Sequence, residues 1–151
     1  MLPSSTAVKA QELSVLKTQA LSGSPAATWA IIADYCGIAD WHPVVASCEI
    51  VSGTKNVVGA VRLLTLGDGA TVREELTAYD AQARTYSYAI LESPLPVASY
   101  TATITILAGL NGGSVVEWKS TFDAAPGADD ATARTTIEGI YDAGFESLRA
   151  R

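Results

Sequence analysis

The chain has 151 residues, 10 lysines and arginines against 16 aspartates and glutamates, and a net charge of -6. At that length one domain, residues 1–151, can hide roughly two-thirds of the surface its unfolded form exposes. An acid excess without a clustered basic patch excludes nucleic acid and an acidic membrane surface as partners.

Cys36 and Cys48, beside a single histidine, are too few for a disulfide framework or a structural zinc site, so a reducing setting is the expectation. No apolar run reaches the roughly 18 residues of a membrane span. The opening residues also lack a basic segment followed by an apolar stretch, so a cytoplasmic protein with no membrane insertion is expected. Residues 1–9 are expected to be disordered.

Residues 11–21, QELSVLKTQAL, read as a strand with Leu13, Val15 and Lys17 on one side. Ser24 then sits where an N-cap belongs and Pro25 fits the first helical position; a helix from 25 to about 35 follows, with Trp29, Ile32 and Ala33 as its apolar stripe. Between Gly37 and Pro43 there is room only for a short second helix. From Ala46 to Phe122 the residues alternate by two, broken at SGTKN, GDG, DAQAR, SPLPV and LNGG, which delimits five or six strands of an antiparallel meander. The last segment places Ile137, Ile140, Tyr141, Gly144, Phe145 and Leu148 at spacings of three and four, a long amphipathic helix.

Asp129 and Asp130 near the start of that helix suit its dipole and are not read as metal ligands. No glycine pair precedes a helix, so a phosphate loop is excluded. The element order predicts an α+β fold, a curved antiparallel sheet of about seven strands around a long C-terminal helix.

Strand parity then locates two charges. Ala60, Arg62, Leu64 and Leu66 share one face; on the next strand Val72, Glu74, Leu76 and Ala78 oppose Thr71, Arg73, Glu75, Thr77 and Tyr79. The second set is polar enough to be the wet side, which turns Glu74 inward. A three-residue Gly67-Asp68-Gly69 loop pairs Leu66 with Ala70 and sets Arg62 opposite Glu74. A two-residue turn would oppose Arg62 to Glu75 instead, and the hydrophobic pattern favours the first register.

The same count sends Tyr88 with Ile90, Tyr100 with Ala102 and Ile104, and Trp118 with Phe122 to the concave side. A buried ion pair barely repays its desolvation, so stability is a poor reason to put Arg62 and Glu74 there. A cavity for a small ligand is the favoured reading.

The helix-grip order, with CEIVSGTKNVVGAVR, REEL, YSYAILES and YTATITILAG, resembles the SRPBCC superfamily (START or Bet v 1 fold) from about Trp29 to Leu148. Within it the chain looks like the lachrymatory factor synthase-like and polyketide cyclase-like group, and more distantly the plant abscisic acid receptors. That resemblance implies a cofactor-free proton-transfer rearrangement or cyclisation, with Arg62, Glu74, Tyr88 and Tyr100 as catalytic residues. In that reading Arg62 holds a ligand oxygen and Glu74 moves a proton.

The ligand implied is a small apolar or amphipathic molecule. Leu64, Leu66, Ile90, Ala102 and Ile104 would enclose it from the sheet with Trp118 and Phe122. Ile137, Ile140, Tyr141 and Gly144 would do so from the long helix, and Trp41 and His42 from the short one. A non-catalytic binding or transport protein is the alternative, since this scaffold hosts both. The receptors' gate segment is replaced here by LGDGA and their pocket lysine by His42, which argues against hormone-gated phosphatase inhibition. His42 otherwise reads as a capping or rim residue, and Cys48 as a small core residue.

Overall fold

Period-two alternation becomes a seven-stranded antiparallel sheet in a computed structural model that describes residues 12–151. The strands are β1 (Leu13–Leu21), β2 (Val45–Ser52), β3 (Val61–Leu66), β4 (Thr71–Asp80), β5 (Thr85–Glu92), β6 (Val97–Ala108) and β7 (Ser114–Ala124). The expectation of disorder over residues 1–9 lies outside the described residues. Strands β2 to β7 run as a meander, and β1 joins the far side of β7, so the spatial order is β1-β7-β6-β5-β4-β3-β2 with β1 and β2 at the edges.

Helix α1 (Pro25–Ile32) starts as its sequence dictates: Pro25 occupies the first turn and the Ser24 hydroxyl accepts from the Ala27 N–H at 3.1 Å. It stops at Ile32, short of 35, and Thr28 and Ile32 are its buried residues. The reason is local: the Asp34 carboxylate caps a new 3₁₀ turn, Tyr35–Gly37, by accepting from the Cys36 N–H at 3.2 Å. Helix α2 (Ile38–Trp41) follows and ends at His42.

Helix α3 (Asp130–Arg149) crosses the concave face and buries Ala133, Ile137, Tyr141, Gly144, Phe145 and Leu148. Asp129 is its N-cap; its carboxylate accepts from the Thr132 N–H at 2.7 Å, and that bond lowers its pKa. Among the described residues no helix is long and apolar enough to cross a membrane.

Two expectations are corrected. Tyr79 does not lie on the outer face, because β4 bulges where its register against β5 passes from Leu76↔Tyr88 to Ala78↔Ser87. The extra residue reverses the parity beyond it, exposing Ala78 and turning Tyr79 inward, where its hydroxyl donates to the Ala33 carbonyl at 2.7 Å. Cys48 is likewise no free core thiol: it is bonded to Cys36, twelve residues away in sequence, and the bond removes the free-thiol argument for a reducing compartment. Closing a loop of this size stabilises the fold by about 3 kcal/mol on chain-entropy grounds.

Candidate functional site

The three-residue turn forms as its sequence predicts, with the Leu66 N–H donating to the Ala70 carbonyl at 2.8 Å. Register then places Arg62 directly opposite Glu74. Both are buried, with side-chain exposures of 1% and 7%. Arg62 Nε and Nη2 donate to the same carboxylate oxygen, Oε1, at 2.9 and 2.7 Å.

Arg62 Nη1 donates to the Tyr35 carbonyl at 2.5 Å, while the guanidinium lies 3.8 Å from the centre of the Tyr35 ring and 4.9 Å from that of Tyr88. Burial is the largest single effect and works against this charge, but the Glu74 carboxylate together with Tyr35, Tyr86 and Tyr88 outweighs it, and the Arg62 pKa lies above its ordinary value. The arginine is therefore a permanent cation whose main donors are committed to protein acceptors.

Glu74 Oε2 is different. Among the described residues it accepts no hydrogen bond, and Glu74 lines a cavity of about 50 Å³ beneath α3. Tyr88 and Tyr100 line the same cavity, and their hydroxyls lie 3.5 Å apart. Trp118 Nε1 donates to the Tyr88 oxygen at 3.0 Å, which leaves the Tyr88 hydrogen to serve another acceptor. Tyr100 is hydrogen-bonded in turn to the Tyr141 hydroxyl. Burial raises the pKa of Tyr88 and of Tyr100 well above the ordinary tyrosine value, so both remain neutral donors at physiological pH.

Of the residues expected around a ligand, His42, Leu64, Leu66, Ile90, Trp118, Ile137 and Ile140 line the cavity. Trp41, Ala102, Ile104, Phe122, Tyr141 and Gly144 do not; they form the packed layer behind it. The cause is how closely α3 approaches the sheet. A side chain at Gly144 would begin 2.9 Å from the His42 ring and 3.1 Å from that of Trp118, and Trp118 stacks on Tyr141 with ring centres 4.1 Å apart. That aromatic layer leaves room for only a few water-sized groups.

The wall also contains Ile38, Val44, Val45, Val72 and Leu95, which parity reasoning did not single out. Val72 shares the face of Glu74 and was available to the same count. Ile38, Val44 and Val45 belong to the stretch from α2 into β2, where no period signals a facing side. Tyr35 and Tyr86, both buried near Arg62, were also missed, although Tyr86 has the parity of Tyr88.

His42 is a buried tie between α2 and α3. Its Nδ1 accepts from the Val44 N–H at 3.2 Å, which fixes the neutral tautomer whose Nε2–H donates to the Ile140 carbonyl at 2.8 Å. Burial lowers its pKa, against the opposing pull of that carbonyl.

Residues 13–151 match the sequence pattern of the family described as polyketide cyclase / dehydrase and lipid transport. The chain belongs to that family. Two solved structures share its fold closely. The protein XoxI of Bacillus cereus is 31% identical with a TM-score of 0.85 over 91% of this chain and 93% of that one. A protein of Bacillus thuringiensis is 30% identical, also at 0.85, over 91% and 97%. A protein of Nitrosospira multiformis, 23% identical with a TM-score of 0.80 over 91% and 94%, shares the fold. As a polyketide cyclase/dehydrase and lipid transport family member, the chain has the SRPBCC helix-grip architecture and is a small-ligand-binding protein.

Proposed function

We propose that this family member is an enzyme in which Glu74 moves a proton on a small apolar or amphipathic molecule, in a rearrangement or cyclisation that assigns no part to a cofactor. The observation that carries the reading is the asymmetry of the carboxylate. Arg62 takes Oε1 with two donors, Oε2 has no hydrogen-bond partner among the described residues, and Glu74 lines the cavity. A carboxylate held at one oxygen and free at the other is oriented for proton transfer.

Arg62 serves here first by fixing Glu74: three of its five N–H groups are engaged by the Glu74 carboxylate and the Tyr35 carbonyl. Tyr88 and Tyr100 supply neutral O–H donors to an oxygen that gains charge as the proton leaves. The apolar remainder of the ligand faces Leu64, Ile90 and Ile137.

The test is proton exchange. Small apolar ketones incubated with the protein in deuterated water acquire deuterium beside the carbonyl at an enhanced rate, read by mass spectrometry. Glu74→Gln lowers that rate about 100-fold. Equal rates for both proteins would remove the mechanism.

A second reading, a carrier, is favoured by the lipid transport part of the family description and by the apolar lining of the cavity. Native mass spectrometry separates the two: a carrier retains its ligand unchanged, an enzyme releases a molecule rearranged or cyclised.

A further inference from the structure

A cavity of about 50 Å³ admits no sizeable ligand unless a wall yields, and one wall differs in kind from the rest. Most of the lining stands on strands β3 to β7 or on α3. Ile38, His42 and Val44 instead come from the stretch between α1 and β2, and Val45 from the first position of β2; the Cys36–Cys48 bond links the ends of this stretch. Cys48 stands on β2, an edge strand of the sheet, opposite Leu64. Cys36 follows Tyr35, whose ring and carbonyl engage the Arg62 guanidinium. Both cysteines are partly exposed.

We propose that the Cys36–Cys48 disulfide is a redox-controlled clamp that holds this segment shut over the cavity and Tyr35 against Arg62. A dithiol reductant opens it: its thiolate attacks one sulfur to form a mixed disulfide, and its second thiol closes a ring. Cys36 and Cys48 leave with two protons and two electrons while the reductant is oxidised to a cyclic disulfide. The ties that remain are the Tyr35 N–H to Asn56 Oδ1 at 2.9 Å, the exposed Lys55–Asp34 pair at 3.1 Å, the Tyr35 carbonyl to Arg62, the His42 ring to the Ile140 carbonyl at 2.8 Å, Arg151 to the Asp40 carbonyl at 2.6 Å, and the pairing of Val44 and β2 with Gly67 and β3. All of these are non-covalent, and the exposed pair competes with water, so on reduction the segment is held by ties that open and close reversibly. The clamp acts on ligand entry and does not depend on whether Glu74 is a catalyst.

Hydrogen exchange of the full chain, oxidised and treated with dithiothreitol, tests this without any ligand. The reporters are the amides of Tyr35, His42, Val44 and Val45, bonded respectively to Asn56 Oδ1, the Ile38 carbonyl, His42 Nδ1 and the His42 carbonyl. Their exchange accelerates about tenfold on reduction while the amides of β5, β6 and β7 change less than about twofold. Cys36→Ser/Cys48→Ser shows the fast pattern in both conditions. Unchanged exchange at the four reporters, or loss of protection throughout the sheet, would overturn the proposal; the second result would make the bond a staple of the whole fold.

Discussion

Arg62 and Glu74 meet through a single oxygen: both nitrogens that reach the carboxylate, Nε at 2.9 Å and Nη2 at 2.7 Å, land on Oε1. The pair is buried, so neither partner can be removed cheaply. Arg62→Met leaves a carboxylate in an apolar wall, and Glu74→Leu leaves a guanidinium among tyrosines. Each single variant loses about 3–5 kcal/mol, whereas Arg62→Met/Glu74→Leu recovers most of that loss. Urea unfolding of the four proteins reads the cycle, and purely additive losses would contradict a coupled pair.

Gly144 and Gly139 lie on the same helix and should respond oppositely to alanine. Helix propensity favours alanine by about 1 kcal/mol at either position. Nothing lies within 4 Å of a side chain at Gly139, so Gly139→Ala gains that amount. At Gly144 the added carbon falls 2.9 Å from His42 Cδ2, and overpacking of about 1–3 kcal/mol outweighs the propensity gain. Thermal melts of the two variants should move in opposite directions.

Tyr88 provides the acceptor for the Trp118 indole N–H. Tyr88→Phe keeps the ring and strands that donor in the interior, which costs about 1–3 kcal/mol in chemical unfolding. Stability equal to that of the parent protein would show that the indole finds another acceptor.

His42 makes stability depend on pH. Its folded pKa lies below the ordinary 6.5 because the ring is buried, so below that value the unfolded chain binds more protons than the folded one. The contribution of neutral His42 is fully present above pH 6.5 and is lost as pH falls through the folded pKa. The midpoint of thermal unfolding should drop between pH 7.5 and pH 5.5, and drop less in His42→Gln. Parallel profiles for the two proteins would assign the titration elsewhere.

Much of this is legible in the sequence. Arg62 and Glu74 could be paired from parity and one turn because a side-chain period of two and a three-residue loop leave little freedom. Ser24 and Asp129 act through bonds to the third residue on, and Pro25 through its own fixed φ. Failures begin where information stops being local. A single bulge at Thr77 inverted the reading of Tyr79, and nothing in the surrounding alternation marks it.

Sequence alone determined the α+β architecture, the inward carboxylate and guanidinium, and the tyrosines that share their face, since each follows from periodicity within one strand or across one turn. Tertiary packing decided the Cys36–Cys48 bond, the membership of the wall from Ile38 to Val45, and how little space remains beneath α3. The bond depends on how the chain folds back between α1 and β2, and the space beneath α3 on distances between segments far apart in the chain, fixed by the closeness of backbone approach at Gly144 and the stacking of Trp118 on Tyr141. No period along the chain encodes such distances.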